Sequence, residues 1–307
     1  MTPSPQSLIP TPSRTHARAY IAWVAVCLIW GTTYLAIRIS LETIPPLLMA
    51  AFRWIAAGGL LVLLLALRGE QLPARREWPS LAILGILLLG FGNGAVVWAE
   101  QTVPSGLTAV LVATSPFWMV GFDALMPDGE AITLRRVLGL VVGFGGIVML
   151  VWPELRFDGT GGGFLAGVIA AQIACAGWAI GSSYARRRGR GHASGENVLA
   201  TAAFEMLFGG VALFAVSLVL REPARLTFTP RTAAALAYLI FVGAIGGFSA
   251  YAYALKHLPV ATVSLYAYVN PIIAVVLGTL VLQEPFNARM FLAAFVVFAG
   301  IALVRSD

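Results

Sequence analysis

Arg53, Glu100 and Glu205 are ionisable residues inside or at the edge of long apolar runs. At the centre of a bilayer such a side chain costs about 2.5–3.5 kcal/mol on insertion scales, so it should face the protein interior. Arg53 and Glu205 occupy related places in two runs. They are expected as a buried pair, each reducing the other's desolvation cost, with a direct part in function as the alternative. Glu100, beside the break at Pro104, is the candidate for a proton or a cationic solute; an interfacial carboxylate is the plainer reading. Asn93, between two glycines, and Asn270, before Pro271, carry amides that both donate and accept. They could meet a zwitterion or bind the backbone of a neighbouring helix. Pro116 and Pro271 fall near the middles of two runs, where each removes a backbone hydrogen bond. In lipid such a break is tolerated only if neighbours or a cavity satisfy the freed carbonyl. Trp30, Tyr34, Trp98, Trp178, Tyr184 and Tyr266 could line a cavity, and their ring faces could hold an ammonium group. Ordinary packing explains the same aromatics.

These residues need elements to position them. Apolar stretches cover roughly 20–39, 46–67, 79–99, 104–124, 135–152, 164–185, 197–219, 233–254, 260–282 and 289–304. About 20 apolar residues span a bilayer as a helix. With 59% hydrophobic and 11% charged residues, 307 positions leave almost nothing for a water-soluble domain. The segments do not alternate as barrel strands would. The fold class is therefore an all-α membrane protein with ten transmembrane helices. Residues 1–18 read as a disordered, cytoplasmic, proline-rich tail. Arg68, Arg75, Arg76, Arg135, Arg136 and Arg186 to Arg188 share one side. Fewer basic residues share the other, among them Arg156, Arg221, Arg225 and Arg231. Both termini are thus expected in the cytoplasm. The net charge of +6 then needs no nucleic-acid partner.

The chain also matches itself. Gly31-Thr32-Thr33-Tyr34 lies over Gly181-Ser182-Ser183-Tyr184, Ala51-Phe52-Arg53 over Ala203-Phe204-Glu205, and Gly58-Gly59 over Gly209-Gly210. Thr114-Ser115-Pro116 lies over Val269-Asn270-Pro271. The halves are 19–155 and 156–307. Each holds five spans, an odd number, so the second must enter the membrane in the opposite sense. Inverted five-helix repeats are a transporter architecture, with solute bound near the midplane between the halves. Gly139 and Gly143 form a small-xxx-small pattern suited to close helix contact.

The segments WGTTYLAIRI (30–39), PPLLMAAFRW (45–54), GNGAVVWAEQTVPSGLTAVLVATSPFW (92–118) and LPVATVSLYAYVNPIIAVVLG (258–278) resemble the EamA-type drug/metabolite transporter superfamily. The resemblance covers about residues 20–304 and is similar to bacterial inner-membrane exporters of amino acids and small metabolites. It implies ten helices, two inverted halves and a cavity lined by the first, third, fourth, sixth, eighth and ninth helices. The expected function is a secondary transporter exporting small metabolites, amino acids among them, by alternating access. A flippase for lipids or lipid-linked sugars is the alternative. The expected partners are a small metabolite and membrane lipid, with protons as a further candidate. Monomer and homodimer fit equally. No cofactor or metal site is expected: the histidines, His16, His192 and His257, are scattered, and no Walker A, HExxH or GxSxG sequence occurs, so an enzyme is not expected.

Overall fold

The computed structural model describes residues 14–125, 133–152, 162–189 and 197–305. They form α1 (Arg14–Ser40), α2 (Pro46–Leu67), α3 (Arg75–Ala99), α4 (Ser105–Val112 and Ser115–Ala124) and α5 (Leu134–Val151). There follow α6 (Gly162–Gly189), α7 (Val198–Val219), α8 (Pro230–His257), α9 (Tyr266–Leu282) and α10 (Ala288–Arg305). Among the described residues there is no strand. In seven of these helices, α1 to α4 and α6 to α8, length and composition suffice to cross a membrane; α9 and most of α10 are shorter apolar helices. Within the tail expected over 1–18, residues 14–18 are already helical in α1. Residues 1–13, 126–132, 153–161 and 190–196 lie outside the described residues.

Small residues decide how the helices meet. α5 crosses α10 where Gly139 and Gly143 face Gly300, and a Cβ at Gly300 would strike the α5 backbone. α2 lies along α7 through Gly58 against Ala203 and Gly210 against Ile55. In both pairs the chains run in opposite directions. α1 packs on α8 and α9, and α6 packs on α3 and α4. α1 runs parallel to α9, since Trp23 meets Val263 and Gly31 meets Ile273. α6 runs parallel to α4, since Gly163 meets Thr102 and Cys175 meets Leu111.

Two helices are locally widened. Gly85–Asn93 in α3 and Leu239–Gly246 in α8 take π-helical hydrogen bonding. Such segments re-aim side chains and recur at functional sites. Each receives an indole: Trp178 of α6 lies over Gly92, and Trp30 of α1 lies over Gly247 and donates to the Gly243 carbonyl at 3.1 Å.

The helix ends follow a rule of their own. Gly69, Arg221 and Gln283 are the described residues with left-handed φ, at 70°, 54° and 52°. A glutamate follows each. The Glu222 carboxylate accepts from the backbone of Leu48 at 2.7 Å and Leu47 at 3.4 Å. Glu284 accepts from Ser105 N (2.9 Å), Ser105 Oγ (2.8 Å) and Gly106 N (3.3 Å). Glu70 accepts from Asn197, whose own Oδ1 caps α7. α2 and α4 open on Pro45 and Pro104, which offer no side-chain cap. The carboxylates supply the missing acceptors from distant loops and favour the positive helix end.

Candidate functional site

Between these helices lies a cavity of about 500 Å³. Of the sequence-predicted residues, Trp30, Tyr34, Arg53, Asn93, Pro116, Trp178, Tyr266, Asn270 and Pro271 line it. Trp30 is the centre of an aromatic wall. Its ring centroid lies 4.8 Å from that of Tyr266 in an edge-on contact, 5.2 Å from Tyr251 and 5.3 Å from Phe248. Such pairs hold one another's rotamers and leave a rigid apolar face.

The polar groups are mostly spent on the fold. Trp54 donates through Nε1 to Asn93 Oδ1 at 3.1 Å. Asn270, its amide nitrogen set toward the carbonyls around it, donates to Tyr266 O (3.0 Å) and Cys27 O (3.1 Å). It thereby ties α9 to α1. Thr33 and Ser115 donate to carbonyls of their own helices. Arg53 differs. It is 3% exposed, its Nε and Nη1 have no partner, and its guanidinium lies 4.3 Å from the Trp54 ring centroid.

Four expectations are corrected. Arg53 and Glu205 do not form a pair: Arg53 turns into the cavity and stacks on Trp54, while Glu205 is not among the lining residues. Glu100 does not line the cavity either. It is fully buried, with both carboxyl oxygens unpartnered, and its backbone carbonyl accepts from Arg38. Trp98 faces outward at 38% exposure, and Tyr184 packs beside Leu81, Leu84 and Phe204. Those positions share a helix with lining residues but not a face.

The proline breaks differ from the expected symmetry. α4 is interrupted at Ala113-Thr114, and Pro116 is the second residue of the new helix, where a missing N–H is harmless. α9 is continuous through Pro271; its interruption is at Ser264-Leu265, after the short turn Val260–Val263. Both interruptions are close to the cavity, which Ala113 and Ser264 line.

Sequence reasoning missed Trp54, Thr33 and Phe248 as lining residues, and the helices expected to line the cavity left out α2, which carries Arg53 and Trp54. Arg136 and Arg186, read only as topology signals, line one end. Arg186 is exposed, and Val304 near the end of α10 is at the same end. Toward the opposite end of the bundle Val103, Ser105 and Leu107 are at 2% exposure or less, and Glu284 binds across Ser105.

Membrane-length helices packed around an aromatic-walled cavity define a polytopic helical membrane protein. The sequence profile of the EamA-like transporter family matches residues 17–152 and again 165–306, and the chain belongs to that family. It is 38% identical over 288 residues to the uncharacterized inner membrane transporter YedA of Escherichia coli K12, covering 92% of this chain and 89% of YedA. It is 22% identical over 284 residues to a probable amino-acid metabolite efflux pump of the same strain, covering 90% and 91% of the two. A solved crystal structure, 21% identical, superposes with a TM-score of 0.62 over 94% of this chain and 96% of that one, a likeness of fold.

Proposed function

We propose that this protein is a secondary transporter of the bacterial inner membrane that exports small metabolites by alternating access, with both termini in the cytoplasm. The observation that carries the reading is the cavity: helices of both halves line it, and Arg136 and Arg186 belong to its lining. By the distribution of basic residues those two arginines lie toward the cytoplasm, the side from which an exporter loads.

Inverted five-helix repeats, 19–155 and 156–307, are part of the proposal. Exchanging each helix for the one five places on leaves the packing scheme unchanged: α2 with α7, α5 with α10, α1 on α8 and α9, α6 on α3 and α4. The two widened segments, in α3 and α8, and the Glu70 and Glu222 clamps exchange in the same way. The family profile also matches twice. Two halves of similar packing can trade places at little cost, as alternating access requires.

The test is efflux from vesicles. Purified protein is reconstituted, loaded with a metabolite mixture, and efflux is followed by mass spectrometry with and without a pH gradient. One or more solutes should leave faster than from empty vesicles without ATP. Release no faster than the control in both conditions sinks the proposal. A labelled phospholipid in the same vesicles tests the flippase alternative.

A further inference from the structure

We infer that Arg53 anchors the carboxylate of an amphipathic organic acid, and that the cavity prefers acids lacking an ammonium group over amines and amino acids. The inference rests on the transporter reading and names the class of its solute.

Arg53 is a permanently charged group withdrawn from water, and a buried cation without partners is costly to keep. Its environment nevertheless holds it in place. One face of the guanidinium lies on Trp54. Trp54 is itself fixed by its hydrogen bond to Asn93 Oδ1 and by its edge-on contact with Phe248 at 6.1 Å between centroids. Nη2 lies beside Gly243 of α8, 3.6 Å from where a Cβ on that glycine would stand. Stacking occupies the face of a guanidinium and leaves its in-plane N–H edges for an acceptor. Among the described residues no carboxylate takes that role: the buried Glu100 has both oxygens without hydrogen-bond partners.

The rest of the lining agrees. Arg136 and Arg186 line one end, and no Asp or Glu lines the cavity among the described residues. An anion entering from that end meets cationic side chains first and Arg53 last. An ammonium group finds aromatic faces but no carboxylate to balance it. Its hydration would be lost against neutral walls, which weakens amines and zwitterions relative to simple acids. The wall of Trp30, Tyr266 and Phe248 suits an apolar or aromatic body attached to the carboxylate.

Three probes of one skeleton test this: 3-phenylpropionate, phenethylamine and phenylalanine, each titrated into the purified wild-type protein by calorimetry and thermal shift. The acid should bind about tenfold or more tightly than the amine and the amino acid, the range a charge-assisted hydrogen bond supplies. Arg53→Gln should abolish the preference while the protein stays monodisperse in gel filtration. Arg53→Lys, if Gln fails to fold, should keep a weakened preference. Equal or tighter binding of the amine or the amino acid overturns the inference, as does an unchanged preference in a folded Arg53→Gln protein. If none of the three binds while the vesicles export other solutes, the inference fails and the transporter reading stands. If the vesicles export nothing, the transporter reading itself has failed.

Discussion

Glu222 and Arg53 are both charged, and both are withdrawn from water, at 2% and 3% exposure. The protein treats them in opposite ways. Glu222 sits at the end of the bundle with two backbone N–H groups donating to its carboxylate, and it completes a helix that opens on proline and has no cap of its own. Arg53 sits at the centre with Nε and Nη1 unmatched and the Trp54 face beside it. The first charge is saturated by the chain and holds two halves of the molecule together. The second lines a cavity with its hydrogen-bonding capacity unfilled. A buried charge therefore reads as structural or functional according to whether its hydrogen-bonding capacity is already filled, not according to its depth.

The comparison can be broken most forcefully at Glu222. Glu222→Ala strips the acceptor from the start of α2 and should destabilise the protein by about 3 kcal/mol, the scale for charge-assisted hydrogen bonds lost to buried donors. A thermal melt in detergent followed by gel filtration would reveal it, and Glu222→Gln should recover part of the loss. An unchanged melting temperature would make the clamp ornamental. Next comes Arg53→Met, which should lower stability by less than about 1 kcal/mol or raise it, since replacing an unmatched buried ion with an apolar group is often neutral or favourable. Export in the vesicle assay should nevertheless collapse. A melting temperature that falls as far as for Glu222→Ala would erase the distinction between the two charges. Asn93→Ala removes the partner of Trp54 Nε1 and loosens the platform under Arg53. A several-fold loss of export should accompany a cost of about 1 kcal/mol in stability. The smallest effect belongs to Trp98→Phe, on an outward face: export within about twofold of wild type, consistent with the near-neutral behaviour of surface changes.

Much of the bundle was legible in the chain. Apolar runs of membrane length gave all ten helices, and the boundaries missed by only a few residues because helix ends fray and because α1 begins in its polar flank. Glycine spacing at Gly139 and Gly143 pointed to a close crossing, which Gly300 completes. Nine of the singled-out residues reached the cavity, since deep aromatics and amides in an apolar chain have few other places to go. The failures share a cause. Trp98, Glu100 and Tyr184 belong to helices whose composition is apolar on every side, so periodicity carries no signal about which face turns inward. Asn270 was legible as a midplane amide, but not that its nitrogen is committed to the Cys27 carbonyl of another helix. The glutamate clamps did leave a sign: helices opening on Pro45-Pro46 and Pro104 without a Ser, Thr, Asp or Asn cap had to find acceptors elsewhere.

By itself, then, the order of residues determined that this chain crosses a membrane many times as helices. Bilayer thickness and the need to satisfy every backbone group leave no other outcome for so apolar a chain. Which helices touch, which side chains meet at the cavity, and that Arg53 rests on Trp54 and not against Glu205 were decided only in three dimensions. Those outcomes depend on rotation of each helix about its own axis, and that angle is set by glycine contacts, widened turns and capping carboxylates contributed from far along the chain.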